Sequence, residues 1–272
     1  MKKIIAAALL SFSLNSFADN APLWLRFCSI SPDGQTIAFS YKGDLFSVPV
    51  NGGIAKQLTT NPAYDAYPIW SPDGQKIAFA STREGSMDIY LMNKNGGVPK
   101  RLTTNSGSEI PMAFTDNNHV LFSSAIMPTA KSIFFASGTF PQTYEVNIDA
   151  SRPRLYLPIT MCDANVKSNG DILYHDVKGY EDNFRKHHRS PVTRDIWLYS
   201  KGNYTKLTNF DGEDRTPVWG NNTNEYYYLS EEDGTFNVYK RNIDGSGKKQ
   251  LTFHKANPVR FLTVANNGTI CY

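Results

Sequence analysis

Apolar and polar residues alternate along this chain in short runs, and Pro, Asp, Asn and Gly separate the runs. Residues 76–80 (Lys-Ile-Ala-Phe-Ala) and 88–92 (Asp-Ile-Tyr-Leu-Met) are representative. A period of two over about five residues predicts half-buried strands rather than helices. The punctuation between them is turn chemistry. In Pro72-Asp73-Gly74 the proline fixes φ, the aspartate bonds its own backbone and the glycine accepts positive φ. Thr82 to Ser86 turns the chain again, and Asn95-Gly96-Gly97 closes a hairpin onto Pro99 to Thr103. Four short antiparallel strands are therefore expected between Pro68 and Thr103.

That unit recurs. Ser31-Pro32-Asp33-Gly34-Gln35-Thr36-Ile37-Ala38-Phe39 returns 40 residues later as Ser71-Pro72-Asp73-Gly74-Gln75-Lys76-Ile77-Ala78-Phe79. Leu-Thr pairs close the units at Leu58-Thr59, Leu102-Thr103, Leu207-Thr208 and Leu251-Thr252. A repeat of about 40–45 residues made of strands predicts an all-β fold, a β-propeller of four-stranded blades. Five complete blades are expected at about 25–59, 68–103, 111–157, 162–208 and 216–252, with the start of a sixth at 258–272. The third blade replaces its turn glycine with Asp116-Asn117-Asn118 and carries an insertion near Ala125 to Gly138. The fourth carries a polar insert from Lys178 to Thr193. The sixth stops inside its second strand at Tyr272, so the expectation is that it cannot close the ring by pairing the chain ends. The chain then reads as part of something longer.

Composition changes the picture at the amino terminus. Lys2-Lys3, an apolar run from Ile4 to Leu14 and Ser16-Phe17-Ala18 form a secretory signal pattern over residues 1–18. An exported protein, periplasmic or extracellular, follows, with no integral membrane segment after cleavage. Without Lys2 and Lys3, 26 basic side chains face 25 acidic ones, a net charge of +1. Such a chain offers no field for nucleic acid. Cys28, Cys162 and Cys271 have no metal spacing and read as small residues of inner strands. A Cys28–Cys271 bridge is conceivable if the two ends of a propeller meet.

Two stretches go beyond a generic repeat. Tyr41-Lys42-Gly43-Asp44-Leu45-Phe46-Ser47-Val48-Pro49, with Gly52-Gly53 and Gln57-Leu58-Thr59, resembles the opening blade of tricorn-type serine peptidases. Lys178-Gly179-Tyr180-Glu181-Asp182, Arg185 to His188, Thr193 to Trp197 and Gly212-Glu213-Asp214-Arg215 resemble the amino-terminal propeller of their exported bacterial homologues. The resemblance covers about residues 24–272. It implies a non-catalytic propeller that gates or channels peptides towards a catalytic domain elsewhere on the polypeptide and docks other domains. The repeat also resembles the periplasmic TolB propeller, a free-standing protein-binding module, which is the alternative.

The local chemistry agrees with a platform. There is no Gly-x-Ser-x-Gly elbow and no phosphate-binding glycine loop between strand and helix, so neither a catalytic residue nor a cofactor is expected. The basic insert supplies the candidate contact residues for peptide or a neighbouring domain: Arg185, Lys186, His187, His188, Arg189 and Arg194. Adjacent histidines in extended chain point to opposite sides, which disfavours a shared metal. Glu181, Asp182, Glu213 and Asp214 lie near Arg185, Arg189, Arg194 and Arg215, so ion pairing is expected among them. Asp44, Asp88 and Asp195 recur at the start of the third strand, where a structural role at turn backbone donors is expected. Partners are thus peptides and other domains of the same chain, with room left for a homo-oligomer.

Overall fold

The computed structural model describes residues 24–126, 141–179, 189–222 and 224–272. The expected signal segment therefore lies outside the described residues. The fold is all-β. Blade one comprises β1 (Arg26–Ile30), β2 (Thr36–Tyr41), β3 (Asp44–Pro49) and β4 (Lys56–Gln57). Blade two comprises β5 (Asp65–Trp70), β6 (Lys76–Glu84), β7 (Ser86–Asn93) and β8 (Lys100–Arg101). Blade three is β9 (Ile110–Asp116), β10 (His119–Ser124), β11 (Gln142–Asn147) and β12 (Arg154–Leu157). Blade four is β13 (Cys162–Val166), β14 (Ile172–His175), β15 (Ile196–Ser200) and β16 (Asn203–Lys206). Blade five is β17 (Asp214–Trp219), β18 (Glu225–Ser230), β19 (Asn237–Asn242) and β20 (Lys249–Gln250). A two-stranded sheet, β21 (Thr263–Val264) and β22 (Ile270–Cys271), begins the sixth. Each four-stranded sheet is an antiparallel meander in chain order.

The Pro-Asp-Gly turns work as their residue types demand. Asp33 Oδ1 accepts from the Ser31 hydroxyl at 2.5 Å and from the Gln35 N–H at 3.0 Å, and Asp73 repeats this with Ser71 and Gln75. The serine hydroxyl, followed by the backbone N–H, holds both carboxyls below their ordinary pKa. Gly34 and Gly74 sit at φ 72° and 66°, where a side chain would be strained.

The Leu-Thr pairs have one job. The threonine hydroxyl accepts the N–H of the residue that follows Asp44, Asp88, Asp195 or Asn237: Leu45, Ile89, Ile196 and Val238 donate to Thr59, Thr103, Thr208 and Thr252 at 2.8–3.0 Å. This ties a blade's last segment to its third strand where the outer ladder is only two to four residues long. The recurrent aspartates work here, with side-chain partners rather than the turn backbone donors expected of them. Asp44 accepts from the Thr59 hydroxyl, Asp88 pairs with Arg101 at 2.8 Å, and Asp195 pairs with Lys178 and Lys206. Thr59→Val keeps the shape and strands the buried Leu45 N–H. It is expected to lower unfolding free energy by about 1–3 kcal/mol, read from the urea midpoint at unchanged m.

Apolar clusters fill the spaces between consecutive blades. Leu45 packs with Ile77 and Phe79 between blades one and two, and Ile89 with Phe114 and Phe122 between two and three. Leu121 packs with Met161 and Ile172 between three and four, Leu173 and Ile196 with Tyr226 and Tyr228 between four and five, and Leu229 with Val259 and Leu262 between five and six. Among the described residues no such cluster spans blades six and one. The two ends of the ring meet there nonetheless and, as expected of the short sixth blade, without a ladder pairing them. The Ile30 N–H donates to Thr263 Oγ1 at 3.1 Å, the Cys28 thiol to the Phe261 carbonyl at 3.2 Å, and the Asn266 N–H to the Pro32 carbonyl at 2.9 Å. Closure needs only the innermost strands to meet side by side, and an outer ladder between the termini is not required.

Candidate functional site

The innermost strands share one irregularity. In β1, β5, β13 and β17 the ladder to the second strand shifts by one residue, between Arg26 and Ser29, Ala66 and Ile69, Cys162 and Asn165, and Arg215 and Val218. Each bulge holds a non-glycine residue in the left-handed region: Phe27 (φ 53°), Tyr67 (55°), Asp163 (48°) and Thr216 (49°). Phe261 (57°), just before β21, occupies the same position in blade six. Aromatic and β-branched residues rarely adopt this conformation, so its recurrence marks a position the fold dictates. Blade three has Pro111 at the equivalent place, and a proline ring cannot rotate to positive φ. Its bulge falls at Met112 instead.

These bulges aim side chains at the axis. Phe27, Tyr67, Met112, Asp163, Thr216 and Phe261, one from each blade, line an axial cavity of about 400 Å³. One wall is aromatic: the Phe27 ring lies 4.0 Å from that of Tyr67 and 4.8 Å from that of Phe261, centroid to centroid. The opposite wall is polar. The Thr216 hydroxyl donates to Asp163 Oδ2 at 2.7 Å, and Arg215 lines the cavity with its guanidinium 5.3 Å from the Phe236 ring centroid.

A buried polar chain backs that polar wall. His175, the last residue of β14, is buried; its Nδ1 faces the Thr216 N–H at 3.3 Å and its Nε2 faces Arg194 Nη1 at 3.2 Å. A neutral imidazole accepts at one nitrogen, so these two donors compete for it. Arg194 also meets the fully buried Glu213 at 3.5 Å, and Glu213 pairs with Arg215. The ion pairing expected of this acidic–basic group is present at Glu213. Asp214 differs: burial pushes its carboxyl up to about 6, and Ser230 and Thr208 hold it through hydroxyls.

Of the sequence-derived contact residues, Arg194 stands in this polar chain behind the wall of the cavity. Arg189 is exposed and lines a separate surface cleft with Thr193, Lys206 and Phe210. The structure does not bring the two together in one pocket. Arg185, Lys186, His187 and His188, with Glu181 and Asp182, lie outside the described residues. Sequence reasoning misses the axial residues, although the chain holds a signal: Phe27, Tyr67, Asp163, Thr216 and Phe261 each precede the first residue of the next turn by four positions.

A family profile described as the tricorn protease N-terminal beta propeller domain matches residues 22–272. The chain belongs to this family. The tricorn protease homolog 1 of Streptomyces coelicolor is 26% identical over 236 residues, covering 85% of this chain and 21% of that protein. The crystal structure of the tricorn protease superposes with a TM-score of 0.70 at 20% identity, over 88% of this chain and 24% of that one. TolB from Acinetobacter baumannii shares the fold at a TM-score of 0.60 and 18% identity, over 82% and 53%. This tricorn-family propeller thus spans about a fifth of the length of the curated tricorn relative. Among its described residues no helix is long and apolar enough to cross a membrane.

Proposed function

We propose that this chain is the non-catalytic propeller of an exported tricorn-like serine peptidase, where it gates or channels peptides towards a catalytic domain on the same polypeptide. The observation that carries this reading is the axial cavity, to which every blade contributes one bulge or bulge-equivalent side chain. Its two walls suit an extended peptide. Aromatic rings take apolar side chains, while Asp163, Thr216 and Arg215 meet backbone and polar groups. Export rests on the residue 1–18 pattern, with cleavage after Ala18. Docking of neighbouring domains falls to the surface around Arg189.

The test uses the full-length peptidase. Tyr67→Ala with Phe261→Ala removes two rings from the aromatic wall while leaving blade hydrogen bonds in place. The expected result is a severalfold change in kcat/KM for unstructured peptides of about twenty residues, with tripeptide substrates unchanged. An identical ratio of the two rates in wild type and variant would rule the channel out as the peptide route.

A further inference from the structure

The junction between blades six and one differs from the other five in lacking an apolar cluster among the described residues, and two cysteines meet there. Cys28 lies within the bulge of β1. Cys271 lies on β22 directly opposite Thr263 of β21. Opposed residues of an antiparallel pair project to the same face. Thr263 reaches β1, since its hydroxyl oxygen accepts the Ile30 N–H. Cys271 therefore faces β1 too, which brings its thiol next to that of Cys28. Both side chains are half-buried.

We propose that Cys28 and Cys271 form a disulfide that closes the propeller ring covalently. The two thiols are unequal in a way that suits the chemistry. Contact with Cys28, and then with the Thr263 hydroxyl, holds the Cys271 thiol below its ordinary pKa, while the contact with Cys271 and burial raise that of Cys28. Cys271 is then the first nucleophile. Its thiolate attacks one sulfur of a small-molecule or protein disulfide and expels one thiolate. The Cys28 sulfur, on losing its proton, attacks the Cys271 sulfur of the mixed disulfide and expels the second. The external disulfide is reduced to two thiols, which carry away the two cysteine protons. Cys162, on β13 of blade four, takes no part.

The bond would join residues that bracket nearly the whole ring. Constraint on the unfolded chain is large for so long a loop, and a rise in Tm of about 10 °C is expected on oxidation. The experiment incubates the purified protein with oxidised glutathione or with dithiothreitol, then alkylates it in denaturant with N-ethylmaleimide. The expected result is one adduct, at Cys162, after oxidation and three after reduction, with a peptide map linking Cys28 to Cys271. Cys28→Ser and Cys271→Ser should each lose the oxidant-dependent rise in Tm, and Cys162→Ser should keep it. Three adducts after oxidation, or a linkage through Cys162 or between chains, would overturn the assignment.

Discussion

Between pH 4.5 and pH 8 the protein is expected to lose on the order of 3 kcal/mol of stability through one carboxyl, Glu109, at the junction of blades two and three. Its side chain is fully buried beside the equally buried Asp88, with Thr103 and Ser124 as hydroxyl partners. Burial, with the Asp88 charge adding to it, pushes its carboxyl up to about 8. The native state then keeps the proton across a range in which the unfolded chain gives it up. The contribution is complete below about pH 4.5, declines as pH rises towards 8 and is flat beyond. Asp214, pushed up to about 6, adds a smaller loss of the same sign in a window that ends near pH 6. The groups facing Glu109 support one proton held between two carboxyls: Asp88 is neutralised on its far side by Arg101, so a second negative charge on Glu109 has no cation of its own. Urea unfolding at pH values of about 5, 6.5 and 8.5 measures the effect. Glu109→Gln retains a donor towards Asp88 and should flatten most of the dependence. An unchanged slope in that variant would show the loss to arise elsewhere.

Glu213→Ala is expected to cost about 3–5 kcal/mol, the scale for removing one partner of a buried ion pair. The fully buried carboxylate meets both Arg194 and Arg215, and its own N–H donates to Glu231 Oε1 at 3.1 Å. Without it two guanidinium groups lie against each other across the polar wall, with His175 between Arg194 and the Thr216 backbone. The loss should appear as a Tm lowered by about 10 °C, since a domain of this size loses a few degrees per kcal/mol. Glu213→Gln, which keeps the shape and one acceptor, should recover part of it. A drop below about 1 kcal/mol would mean that the guanidinium groups find other acceptors and that Glu213 does not organise the wall.

How much of this can be read from residue order depends on what each feature answers to. Blades and turns are legible because Ser-Pro-Asp-Gly and the alternating runs are local chemistry repeated at a fixed interval. The Leu-Thr pairs are visible as markers, but their role is not. A threonine hydroxyl reaching the third strand is a contact across 12 to 14 residues, and only the folded blade shows it. Arg194 is picked out by its charged neighbours. Its partner His175 is not, because strand register brings the two together: His175 stands opposite Ile196 on one side and Cys162 on the other. The axial residues escape for a different reason. A bulge interrupts the period-two pattern and leaves no pattern of its own, so Phe27 and Asp163 look unrelated until the backbone places both in the left-handed region. The short sixth blade tells that no ladder pairs the chain ends, but not that Phe261 and Thr263 meet β1 through single hydrogen bonds.

The bulges carry a consequence for variation. Each sets one residue on the axis by a backbone distortion, while the strand residues on either side of it resume the ladder to the second strand. A substitution other than proline at Phe27, Tyr67, Asp163, Thr216 or Phe261 therefore alters the cavity without disturbing sheet register. The calibre and polarity of the cavity are set by a handful of side chains that couple where they touch, Phe27 with Tyr67 and Phe261, and Asp163 with Thr216, and a library randomised at these positions alone would sample cavities on a fixed frame.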